Sequence, residues 1–280
     1  MEVSYYPGCS LHGTAREYDE STREVSEALG VKLHELEDWN CCGASSAHST
    51  DETLALRLAA RNLVIAQRTG LDVVVPCAAC FSRLKAAQKV EEEARGGTGA
   101  KGTLRVLSLL EFLAAPALRE KIASRKKRSL EGLTVVCYYG CLWVRPPKWT
   151  EAKQPENPVA LERLMKLLGA RPIPWSYQTD CCGGSLVLTR TDIVRRLTGR
   201  LLDGALEAGA EAVVVACPLC QANLDTRQEE IARETGRAYG LPILYFTELI
   251  GLSFGSPQAH RWFRRHFVDP RGLLSAKGLL

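Results

Sequence analysis

The sequence has no long apolar run. Its most hydrophobic stretches, such as Leu71–Pro76 and Ala212–Ala216, fall far short of the roughly 20 residues a helix needs to cross a bilayer. The N-terminal MEVSYYPGC has neither the basic start nor the apolar core of a signal peptide. Charge of one sign is also scarce: 36 basic and 32 acidic residues leave +4, which gives little support to nucleic-acid binding. There is no low-complexity tract, and 46% hydrophobic with 24% charged residues is a globular composition. A chain of 280 residues built this way reads as two domains in the cytoplasm, with room for membrane association through partners.

Cysteine, by contrast, is abundant. Eleven occur in a chain large enough to fold without disulfides and expected where thiols stay reduced. Metal binding or redox chemistry is the leading explanation. Their order repeats. Cys41-Cys42-Gly43 answers to Cys181-Cys182-Gly183, and Cys77-Ala78-Ala79-Cys80 to Cys217-Pro218-Leu219-Cys220, both at an offset of 140. Upstream, Tyr6-Pro7-Gly8-Cys9 resembles Tyr139-Gly140-Cys141. Downstream, Val106–Phe112 resembles Ile243–Leu249. A repeated constellation of this kind indicates a duplicated chain.

Each half reads alike. Met1–Tyr6 and Leu133–Tyr139 read as strands, as do Asp72–Val75 and Ala212–Val215. Lys32–Leu36 and Arg171–Pro174 read as extended. Helices are expected over Tyr18–Leu29, Asp51–Thr69, Val159–Leu168 and Thr191–Ala208, two of them stopped by Gly30 and Gly169. Strands alternating with helices predict an α/β fold: two tandem homologous domains with parallel sheets, 1–128 and 129–252, and a basic tail, 253–280. Lys89–Gly102 and Arg119–Glu131 read as a loop and the interdomain connection. Ligands of open parallel sheets bind beyond the carboxyl ends of the strands, and that is where the cysteines fall.

A Cys-x-x-Cys that follows a strand and opens a helix suits either thiol exchange or metal binding. Each half adds a cysteine doublet and a third upstream cysteine, which a redox pair does not need. Five thiols are one too many for a single zinc, and adjacent cysteines diverge. Neighbouring thiolates on different irons fit better, with Gly43 and Gly183 allowing close approach of a bulky iron–sulfur cluster. Zinc and thiol exchange stay open as alternatives.

The whole pattern resembles the duplicated CCG domain of the heterodisulfide reductase B-subunit family. Tyr5-Tyr6-Pro7-Gly8-Cys9-Ser10, the stretch around Tyr139-Gly140-Cys141 and the tail around His266–Arg271 resemble it too. The resemblance implies two noncubane [4Fe-4S] clusters. One would be held by Cys9, Cys41, Cys42, Cys77 and Cys80, the other by Cys141, Cys181, Cys182, Cys217 and Cys220. It further implies that a small disulfide is cleaved, or formed, between them. Electrons would come from the ferredoxin-like C subunit and the flavin-containing A subunit of such a complex. The alternative is an electron-transfer subunit of another oxidoreductase: quinone-linked, lactate or glycolate oxidising, or a methylenetetrahydrofolate reductase complex.

Other residues carry weaker expectations. Cys137 reads as a small buried hydrophobe. His12 and His48 follow cluster cysteines and could protonate a departing thiolate. Arg16, Arg145 and Arg190 could hold an anionic thiol, and Ser45 and Ser185 could hydrogen-bond cluster sulfurs. Each has an ordinary surface reading beside it. Trp143, Trp149 and 146–158 read as a Pro-containing loop beside the second site. Trp262, Phe263 and Phe267 suggest that part of the basic tail packs on the core.

Overall fold

The computed structural model describes residues 1–44, 46–94 and 104–280. The duplication is explicit in its topology. The strands are β1 (Glu2–Tyr5), β2 (Lys32–Glu35), β3 (Val73–Val75), β4 (Val106–Ser108), β5 (Thr134–Tyr138), β6 (Arg171–Pro172), β7 (Ala212–Val215) and β8 (Ile243–Tyr245). They form two four-stranded sheets of order β2-β1-β3-β4 and β6-β5-β7-β8. All pairings are parallel, with Tyr5 opposite Val74 in the first sheet and Tyr138 opposite Val215 in the second.

Parallel sheets are covered on both faces, which explains why the central strands are unbroken apolar runs. Val73, Val74 and Val75 have no exposure, and Ala212–Val215 has almost none. The expected helices are present within two residues of their predicted ends: Arg16–Ala28, Glu52–Gln67, Ala160–Leu168 and Thr191–Glu207. Asp51 caps the second by accepting the Leu54 amide at 3.0 Å, and Gly169 closes the third with φ of 96°.

Two connections were expected where the chain is helical. The helix Ala78–Ala94 runs through the first part of Lys89–Gly102, and the rest of that stretch lies outside the described residues. Pro116–Arg125 is a helix inside the supposed linker Arg119–Glu131. Its proline at the first turn is pre-set for helix, and Leu118 and Ile122, one turn apart, are both buried. Charged residues on the outer face masked that short apolar stripe.

The repeats pack through elements of both. The Arg16–Ala28 helix of the first lies against Phe246–Ser253 of the second and Ala259–Phe263 of the tail. The Trp262 ring fills the space left by the missing side chain of Gly251; a Cβ there would be 2.7 Å from it. Trp262 and Phe263 are fully buried, so the basic tail is built into the core, while Phe267 stays exposed. Ser21 and Thr247 share a buried hydroxyl hydrogen bond of 2.7 Å across the repeats. No helix among the described residues is long and apolar enough to cross a membrane.

Candidate metal centre

Each five-cysteine set is assembled from three places at the carboxyl ends of strands. Cys9 lies in the short helix Gly8–His12 after β1, and Cys41 and Cys42 on the loop after β2. Cys77 ends the segment after β3, and Cys80 sits in the first turn of Ala78–Ala94. The second repeat places Cys141 after β5, Cys181 and Cys182 after β6, and Cys217 and Cys220 at the start of the helix Pro218–Thr226.

The sulfurs touch in series. Cys9 and Cys41 are 4.0 Å apart, Cys42 and Cys80 3.2 Å, and Cys182 and Cys220 3.6 Å. Within the sets, Cys41 and Cys42, Cys77 and Cys80, Cys217 and Cys220, and Cys141 and Cys181 also shift each other's thiols. Cys77 and Cys217 shift each other's thiol across the repeats, and the Tyr18 hydroxyl reaches the carbonyls just before both, so the two sets adjoin there. Cys9, Cys41 and Cys181 are exposed and Cys141 half-buried, whereas Cys42, Cys77, Cys80, Cys182, Cys217 and Cys220 are buried. Each set thus has an outer pair at or near the surface and three buried cysteines.

Two glycines make room for these sulfurs. Gly8 and Gly140 occupy equivalent positions with φ of 71° and 69°. A Cβ on Gly8 would lie 3.0 Å from Cys80 Sγ, and one on Gly140 2.8 Å from Cys220 Sγ. At Gly183 the contribution is an amide, which donates to Cys181 Sγ at 3.2 Å; Gly43 does the same for Cys41.

The electrostatics show what such a donor set asks for. The Cys41 thiol is held down at about 2 by bonds from Cys42 and Cys9, while the Cys41 contact pushes Cys42 up to about 12. Cys77 is lowered by Cys217 and Cys80, and Cys80 is raised. The Cys141 bond holds Cys181 at about 6. Crowded sulfurs share protons because they cannot all ionise together. A multivalent metal group removes that conflict, since coordinated thiols are deprotonated outright. Among the described residues no group of three or more His, Cys, Asp or Glu side chains stands placed to hold a metal ion.

The remaining sequence candidates are placed variously. His12 pairs with Glu35 at 3.0 Å and edges onto Trp39, on the β2 side. His48 lines a cavity of about 330 Å³ with Glu52, Arg83 and Trp149. Arg145 ties the segment after Cys141 to the Thr179 carbonyl at 2.9 Å and pairs with Glu156. Arg190 pairs with Asp192 at 2.8 Å in solvent. Arg16 is exposed at its helix start and Ser185 is exposed after the second doublet; Ser45 lies outside the described residues. Within 146–158, Pro147–Thr150 forms a short helix. Trp143 donates to Ser108 Oγ of the first repeat at 2.9 Å. Cys137 is fully buried on β5 beside Glu162, its thiol raised by burial and by that carboxyl.

Sequence reasoning missed the residues that fix the doublets. Tyr6 donates to the Asn40 carbonyl at 2.8 Å, just before Cys41, and Tyr138 to the Asp180 carbonyl at 2.8 Å, just before Cys181. The signal was present: the offset of 132 that relates Cys9 to Cys141 relates Tyr6 to Tyr138. Asn62 clamps Asn40 through two hydrogen bonds. Asn223 donates to the carbonyl and sulfur of Cys182 at 3.2 and 3.5 Å. Tyr18, at the junction, reaches the carbonyls before Cys77 and Cys217.

This duplicated arrangement defines a class. The cysteine-rich CCG domain matches residues 3–85 and again 135–225, and the chain belongs to that family. Among relatives, the 8-methylmenaquinol:fumarate reductase membrane anchor subunit of Wolinella succinogenes is 32% identical over 96% of this chain and 97% of its own. The B subunit of the ferredoxin/F420H2-dependent CoB-CoM heterodisulfide reductase of Methanosarcina acetivorans is 28% identical, covering 91% of this chain and 89% of its own. Lactate utilization protein A of Bacillus pumilus is 26% identical over 81% of this chain and 92% of its own. A hypothetical protein from Helicobacter pylori shares the fold, with a TM-score of 0.73 at 11% identity. The match covers 96% of this chain and about half (52%) of that one.

Proposed function

We propose that the chain is the iron–sulfur subunit of a heterodisulfide reductase-like complex, reducing or forming a disulfide between its two cysteine sets. The observation that carries this reading is the Tyr18 hydroxyl lying 3.4 Å from the carbonyl before Cys77 and 3.2 Å from that before Cys217, which brings corresponding points of both sets to one junction. Cys9, Cys41, Cys42, Cys77 and Cys80 would hold one [4Fe-4S] cluster, and Cys141, Cys181, Cys182, Cys217 and Cys220 the other. Such groups supply electrons singly and offer iron to bind sulfur. The chain's own part is positional. Cys42, Cys77, Cys80, Cys182, Cys217 and Cys220 are buried, while Cys9, Cys41 and Cys181 are exposed and Cys141 half-buried, so the outer pairs would be the ones a disulfide from solvent meets first. Reduction of a disulfide takes two electrons and two protons and yields two thiols. Partner subunits of the ferredoxin and flavin types are the expected electron carriers.

The test is anaerobic purification with iron and sulfide analysis, followed by EPR with and without a small disulfide or thiol. The reading predicts two cluster signals that the added sulfur compound perturbs. A colourless protein carrying zinc, or cluster signals indifferent to every disulfide and thiol tried, defeats it.

A second reading is favoured by one observation. Identity to the fumarate reductase subunit is 32%, above the 28% to the heterodisulfide reductase subunit. On that reading the two sets pass electrons to a partner that binds the substrate. Co-purification separates the two: a dehydrogenase partner supports electron transfer alone, and a flavin subunit with a ferredoxin-like subunit supports disulfide chemistry.

A further inference from the structure

The tail brings a histidine into a closed pocket of carboxyl groups. The side chains of His266 and Glu248 have no exposure, and their Nε2 and Oε1 atoms are 2.9 Å apart. His266 Nδ1 lies 3.4 Å from Gln221 Nε2, which donates to Asp225 Oδ2 at 3.1 Å. Asp225 also accepts the amides of Phe267 at 2.8 Å and Val268 at 3.0 Å. Glu248 accepts the Tyr245 amide at 2.9 Å. Glu17, from the helix of the other repeat, is 4% exposed and faces the same group. At the rim, Arg261 and Arg265 pair with Glu20.

Three carboxyl groups around one imidazole cannot all be charged in a dry interface. Burial and the neighbouring Glu248 push Glu17 up to about 7, and burial raises Asp225. Against its own burial, Glu248, Asp225 and Glu17 raise His266 to about 9. The set therefore exchanges protons near neutrality. It also abuts the second cysteine set. Gln221 follows Cys220 in the chain, and Tyr245 donates to Gln221 Oε1 at 3.4 Å while sensing the charge of Cys217. Glu111, the counterpart of Glu248 in the first repeat, likewise caps its own helix, but among the described residues it faces Lys85 rather than a histidine.

We propose that Glu17, Asp225 and His266, the last held in place by Glu248, form a proton-holding set that takes up one proton when an electron is added at the second cysteine set. The proposal rests on the reading of Cys141, Cys181, Cys182, Cys217 and Cys220 as ligands of a redox cluster. The electron comes from the ferredoxin-like donor, or from dithionite in the test, and the proton comes from water. No bond other than that to the proton changes. These four are positioning residues: they set the potential without touching a substrate.

The test is a dithionite titration of the purified full chain, followed by EPR between pH 6 and 9. One of the two couples should fall tenfold in equilibrium constant per pH unit, about 59 mV for one electron, while the other stays level. Glu17→Gln and His266→Gln should each flatten the sloping couple, with thermal melting checking that each variant is folded. The slope of the unaltered chain is a readout that needs no variant to fold. Two cluster signals with level potentials in the unaltered chain overturn this proposal and leave the functional reading standing. A slope that survives both substitutions in folded protein does the same. Absence of any cluster signal overturns both together.

Discussion

Tyr18 of the first repeat stacks on Tyr245 of the second, with ring centroids 4.1 Å apart and planes within 4°. The Tyr18 hydroxyl lies 3.2 Å from the Ala216 carbonyl and 3.4 Å from that of Pro76. Those carbonyls immediately precede Cys217 and Cys77, the two cysteines at which the sets adjoin. One side chain therefore braces both halves of the junction at corresponding points.

Replacing Tyr18 by Phe keeps the stack and removes the brace. Loss of a net hydrogen bond should cost about 1 kcal/mol, and truncation to Ala about 3–5 kcal/mol through the cavity it leaves. Denaturant unfolding measures both. Equal stability of the Phe variant and the unaltered chain would show that the hydroxyl carries no weight.

Gly8 and Gly140 test the sets separately. Each has a positive φ and a sulfur where a Cβ would stand, Cys80 for one and Cys220 for the other. Gly140→Ala should cost about 1–2 kcal/mol in backbone strain and displace Cys220. Iron bound per chain should then drop to roughly half, as one of two polynuclear sites is lost. Gly8→Ala should remove the other half. Full iron content in both variants would show that the sulfurs tolerate the displacement.

Cys137 should behave differently from the other ten. It is fully buried against Glu162 on the sheet rather than at a strand end. Cys137→Ala should leave iron content and EPR unchanged at a stability cost of about 1 kcal/mol, whereas Cys77→Ser should abolish one cluster signal. Loss of iron from the Cys137 variant would move it into the site.

Much of this could be read from the chain. Repetition of the cysteine pattern at offset 140 located both sets and, with the valine runs before Cys77 and Cys217, the parallel sheets. Those signals are legible because sulfur spacing and unbroken apolar strands are dense in few residues. The helix Pro116–Arg125 escaped because only Leu118 and Ile122 mark its buried face. Contacts between the repeats escaped for another reason. Tyr18 and Ala216 are 198 residues apart, and no local pattern links a tyrosine to a distant carbonyl. The tail was read as basic from Arg261, Arg264 and Arg265, while its organising residue proved to be His266, buried at the far side of the same short stretch.

That histidine gives stability a direction with pH. Both His266 and Glu17 hold their protons more tightly folded than unfolded, so folding takes up protons and stability falls as pH rises. For Glu17 the loss runs from its ordinary 4.5 to about 7, and for His266 from 6.5 to about 9. The His266 contribution is fully present below pH 6.5 and gone above about 9. Melting temperature should therefore decline across that window, and the decline should shrink in His266→Gln, which cannot hold the extra proton. Because Phe267 and Val268 hang from Asp225 beside it, the tail should loosen first, seen as proteolysis after Phe263 that rises with pH. A His266→Gln variant with an unaltered pH profile would place the proton elsewhere in the molecule.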